Sequence, residues 1–105
     1  MSHGNDEALR IFAASAVAVR VALVKALIRM RIEVSTIASE AGEYVIAASS
    51  DDRQIDVRIK SLGIRSSRLR ISAHRGGQMD LSTMVEVIAY TERLLVTPAP
   101  QPTAL

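Results

Sequence analysis

His74 and Asp80 have the most scope for proton chemistry in this sequence, lying six positions apart around Arg75 and a Gly76-Gly77 break. An imidazole titrates near neutral pH and acts as a general base when a partner is positioned against it. His74 is the only histidine inside the predicted fold, and no Ser–His–Asp or Cys–His arrangement can be drawn around it. No His/Asp/Glu cluster has the spacing of a metal site. His74 therefore reads as a solvated residue at a strand end. Gly76-Gly77 precedes a predicted helix start, where free backbone amides can hold an anion. It lacks the G-x-G-x-x-G and G-x-x-x-x-G-K spacings, so it reads as a loop. The chain has no cysteine, which excludes disulfides, thiolate chemistry and cysteine-ligated metals. No catalytic residue, metal ligand or cofactor is expected, and the protein is read as non-enzymatic.

The charged residues carry a second kind of chemistry. Net charge is only +2, but between Arg53 and Arg75 seven Lys or Arg face a single acid, Asp56. Arg58, Lys60, Arg68 and Arg70 alternate along two predicted strands and form a basic patch on one sheet face, because neighbouring strands lie about 4.8 Å apart. A polyanion or nucleic acid is one reading of that patch. Nucleic-acid binding usually adds aromatic platforms for stacking, and the outward positions of these two strands hold none. A solvated face that keeps the sheet soluble is the preferred reading.

The third candidate is apolar. Ser15 to Met30, SAVAVRVALVKALIRM, has helical composition and two apolar arcs on a wheel of 3.6 residues per turn. Val19, Ala22, Leu23, Ala26, Leu27 and Met30 form one arc, suited to covering a sheet. Val17, Val21, Val24 and Ile28 form the other, with Arg20 and Lys25 at its borders. Their spacing of four, three and four is that of a helix packing on another helix. Left in solvent, four β-branched side chains make an apolar patch of the kind monomers avoid. Self-association through Val17, Val21, Val24 and Ile28, or capture of a protein partner, is the leading expectation.

These residues must be positioned by a small fold. The 105 residues fit one domain, and 49% apolar content indicates a globular core. That core is aliphatic, with one Phe, two Tyr and no Trp. Ala8 to Ala13 alternates modestly, and Ser15 can cap a helix through its hydroxyl. Two readings stay open: a strand followed by a helix from Ser15, or one helix running from Asp6 to Arg31. After Arg31 the period changes to that of a strand, through Ala38. Turns at Ser39–Glu43 and Ser50–Arg53 flank a strand at Tyr44–Ser49. Gln54–Ser61 and Ser67–His74 alternate cleanly, with Ile55, Val57, Ile59, Leu69, Ile71 and Ala73 inward.

Asp80 is the expected N-cap of a closing helix reaching Leu95. Its inner stripe reads as Leu81, Met84, Ile88 and Leu95, with Val85 beside it. All three prolines follow in PAPQP, read as an extended, disordered tail over 97–105, with 1–7 as a flexible start and 8–96 as the domain. The order β-α-β-β-β-β-α with short connections predicts an α+β two-layer sandwich. Its antiparallel sheet has four to five strands, with two helices on one face.

Val19-x-x-Ala22-x-x-x-Ala26-Leu27, the strand opening at Arg31-Ile32, Glu40-Ala41-Gly42 and Tyr44–Ala48 carry a resemblance. With the Ile55/Val57/Ile59 and Leu69/Ile71 strands and Asp80-Leu81-Ser82, they resemble a small bacterial helix–antiparallel sheet–helix family of unknown function. Its members are mostly short lipoproteins. It is related in shape to the helix-grip repeats of a lipoprotein subunit of the outer-membrane barrel-assembly machinery. The likeness spans about residues 8–95, implies the fold, and brings no catalytic or ligand residue. The chain has no lipidation cysteine, export signal or apolar run of the ~20 residues a membrane span needs. It is expected in the cytoplasm, or as an exported relative whose leader has been removed.

Overall fold

The structure is a computed structural model that describes residues 6–96. The expectations of a flexible start and a disordered tail fall largely on residues 1–5 and 97–105, outside the described residues. The elements run β1 (Ala8–Phe12), α1 (Ala16–Arg29), β2 (Glu33–Glu40), β3 (Glu43–Ser50), β4 (Arg53–Gly63), β5 (Ser66–Arg75), β6 (Gln78–Met79) and α2 (Leu81–Val96). The sheet is antiparallel with order β1-β5-β4-β3-β2, and β6 pairs with β5. This is the expected two-layer α+β sandwich, with the strand-then-helix reading correct at the start of the chain. The two-residue β6 was not expected from the glycine break. Gly76 and Gly77 hold φ of 58° and 84°, which lets the chain reverse at once and Gln78 pair with Arg75.

Local chemistry explains the boundaries of α1. Ser15 is extended and its hydroxyl accepts from the Ala18 amide at 3.1 Å, satisfying one free donor of the first turn. At the far end the Ile32 amide donates to Leu27 and the Arg31 amide to Ile28, the paired bonds of a Schellman stop. Arg31 occupies the left-handed position at φ 65°, where glycine is usual. Ile32 and Leu27, both fully buried, make the apolar contact that accompanies this motif.

α1 lies across β2 to β5, while α2 lies on β5 and β1 and packs beside α1. Between the layers sit Val19, Leu23 and Leu27 of α1, the inward Ile and Leu of the strands, and Met84, Val87 and Ile88 of α2. Each fully buried aliphatic side chain contributes about 1.5–3 kcal/mol relative to exposure. Arg10 of β1 reaches Glu92 of α2 at 2.8 Å, but both ends are half exposed, so this tie is worth under about 1 kcal/mol. Apolar burial holds the layers together.

The inner stripe of α2 differs from the sequence expectation. Leu81 and Val85 are more than half exposed, and Thr83, Val87 and Thr91 take inward places beside Met84 and Ile88. The threonines can enter the core because their hydroxyls are satisfied locally. The Thr91 hydroxyl donates to the Val87 carbonyl at 2.8 Å, and that of Thr83 donates to Asp80 at 2.7 Å. What each then offers the core is a methyl group.

Candidate interaction surface

α1 buries Val19, Leu23 and Leu27, and by helical geometry Val17, Val21, Val24 and Ile28 project away from that face. Val17, Val21 and Ile28 are 50%, 43% and 62% exposed, while Val24 is half-buried. The sheet adds a residue that the sequence reading missed. Ile37 lies on the inward side of the edge strand β2, opposite Ile46, yet remains 44% exposed because α1 covers it only in part. Arg20, Val21, Val24, Lys25 and Ile37 enclose a shallow groove of about 260 Å3 between helix and edge strand. Ile37 was overlooked because its alternation in β2 carries no sign of which strand lies at the edge.

Arg20 frames this surface. Its guanidinium stacks over the Tyr44 ring at 4.9 Å, a cation–π contact that pins the side chain against β3. Arg20 and Lys25 border the stripe, with Arg29 and Arg31 toward the helix end, and no acid occurs between Glu7 and Glu33. The surface is an apolar ridge with basic margins.

The basic patch is assembled as expected, but it is not bare. Register places Arg58 opposite Arg70 and Lys60 opposite Arg68 on β4 and β5. Glu43, from β3, sits between Arg58 at 3.4 Å and Arg70 at 3.6 Å. Glu40 lies 3.6 Å from Arg58, and Glu7 3.9 Å from Arg70. Two of the four cations therefore already face carboxylates. The run from Arg53 to Arg75 concealed this, because the neutralising acids come from β3, the end of β2 and the residue before β1.

His74 and Asp80 are not brought together as a catalytic pair. Among the described residues His74 has no carboxylate partner, lying on the outer face opposite Gln54 and Met79. Asp80 is the α2 N-cap: it accepts the Thr83 hydroxyl and, at 3.1 Å, the Thr83 amide, while Arg75 approaches at 3.2 Å. The Thr83 hydroxyl above all, then that amide and Arg75, outweigh partial desolvation and hold the Asp80 carboxyl below its ordinary range. The carboxylate of Asp80 occupies the Thr83 amide at the start of α2, and the Gly76 amide donates to the Asp52 carbonyl at 3.1 Å.

Among the described residues no group of three His, Cys, Asp or Glu could hold a metal, and no helix is long and apolar enough to cross a membrane. No protein-family model matches the chain, and no curated protein matches it significantly.

Proposed function

We propose that this protein is a non-enzymatic assembly module that self-associates through the outer face of α1. The observation that carries this is the apolar ridge itself. Val17, Val21, Val24 and Ile28 are spaced four, three and four, an order that reads the same in both directions. A two-fold axis across an antiparallel pair of α1 helices sets Val21 against Val24 of the second copy and Val17 against Ile28. Such self-complementarity is what an isologous dimer requires. Ile37 and the Tyr44–Arg20 stack widen the contact beyond the helix.

Magnitudes favour the pairing. Hiding a few hundred Å2 of apolar surface is worth several kcal/mol at about 25 cal/mol per Å2, before association costs. The basic margins oppose it weakly, since two like charges about 10 Å apart in water repel by roughly 0.4 kcal/mol. The separation of His74 from Asp80, with Asp80 engaged as a cap, supports a role without acid–base chemistry. The carboxylates against Arg58 and Arg70 favour, at those two positions, the solvated reading over polyanion binding.

Light scattering on eluting protein tests the proposal directly. Wild type should elute with the mass of a dimer or higher oligomer, and Val21→Glu/Val24→Glu should elute as a folded monomer. A wild type that stays monomeric at high micromolar concentration contradicts it.

A further inference from the structure

The β4–β5 hairpin extends past the rest of the sheet. β3 stops pairing with β4 at Lys60, and β1 stops pairing with β5 at Ser67. Residues 61–66 therefore overhang on both sides, by about 10 Å for three residues of strand. Its tip carries Leu62, 47% exposed, and Ile64, 88% exposed, two large aliphatic side chains within three residues. Ile64 and Val17 both line a groove of about 330 Å3 at the start of α1, so two exposed aliphatic side chains share it, with Leu62 exposed on the adjoining strand.

Cations outnumber acids around them, although Glu43 also lines the groove and stands opposite Lys60. Lys60, Arg65 and Arg68 lie on the hairpin, and no acid occurs between Asp56 and Asp80. The two carboxylates nearest this end, Glu40 and Glu43, turn to Arg58 and Arg70. Among the described residues no carboxylate pairs with Lys60, Arg65 or Arg68. The first turn of α1, which opens onto the same groove, also carries no acid, so its positive helix end adds to the field.

We infer that this end of the molecule docks onto an anionic phospholipid surface, with Leu62 and Ile64 entering the headgroup boundary and Lys60, Arg65 and Arg68 meeting lipid phosphates. An aliphatic tip flanked by Lys60, Arg65 and Arg68, none of them in an ion pair among the described residues, matches an interface that is apolar below and negative above. An acidic protein would satisfy the cations but gives no reason for an isoleucine exposed at a hairpin tip. The surface is separate from the outer ridge of α1 except for Val17, and it does not depend on self-association.

Co-sedimentation with phosphatidylcholine vesicles, with and without phosphatidylserine, tests the inference. The full chain should bind only the anionic vesicles at low ionic strength and be released by salt. Leu62→Ser/Ile64→Ser should weaken binding at least about tenfold, the order of one buried aliphatic side chain. Lys60→Gln and Arg65→Gln should each weaken it roughly fivefold. Both sets change exposed positions, so unaltered melting curves should accompany the losses. Absence of binding to anionic vesicles overturns the proposal. So does binding that the Leu62→Ser/Ile64→Ser change leaves intact and that soluble polyglutamate competes away, because that behaviour belongs to a bare cationic patch.

Discussion

Asp80 shows how far a single residue can be read locally. Its carboxylate caps α2 through Thr83 and holds Arg75 near the end of β5, so truncating it removes a cap worth about 1 kcal/mol. Asp80→Ala should lower the midpoint of urea unfolding accordingly at neutral pH. Because the native carboxyl titrates below its ordinary value of 3.8, its stabilisation is present above that pH. It is lost as the pH falls through the lower native value. Wild type and Asp80→Ala should therefore differ at pH 7 and converge as acid protonates the native group; a gap that widens in acid contradicts this. The cap was legible because cap, helix start and capped amide are neighbours in sequence. Glu43 was not legible as the partner of Arg58 and Arg70, since only strand register brings residues so far apart in the chain to within 4 Å.

Among the elements, α1 and α2 contrast in how openly the sequence displays the buried face. In α1 the buried residues are all aliphatic, and the wheel identifies the arc they form. In α2, ranking by hydropathy sets Leu81 and Val85 inward and overlooks Thr83 and Thr91, whose hydroxyls are satisfied within or beside their own helix. The consequence is measurable. Met84→Ala should cost about 2–5 kcal/mol, the range for buried Met, Leu or Ile truncation, whereas Val85→Ala should stay within about 0.5 kcal/mol. Comparable losses for the two in denaturant titrations would place Val85 in the core and contradict the observed face. The strands were legible by alternation, which separates their two faces but is silent on order. That β2 lies at an edge, leaving Ile37 beside α1 only partly covered, follows from pairing across the whole sheet.

At the scale of the whole molecule, most aliphatic side chains are consumed in one core, and the remainder is unevenly placed. The outer ridge of α1 gathers Val17, Val21, Val24 and Ile28 beside Ile37, and its order is its own complement under a two-fold axis. Its margins are basic, which gives assembly through this ridge a distinct response to salt. Screening weakens repulsion between like margins and leaves apolar burial intact. An interface built on opposite charges loses affinity instead. Sedimentation velocity of the wild-type chain over a concentration series, at low and at raised sodium chloride, is the most direct measurement. Mass should rise with concentration toward a dimer or beyond, at lower concentration when salt is raised. A single monomeric species at every concentration and salt would contradict the account.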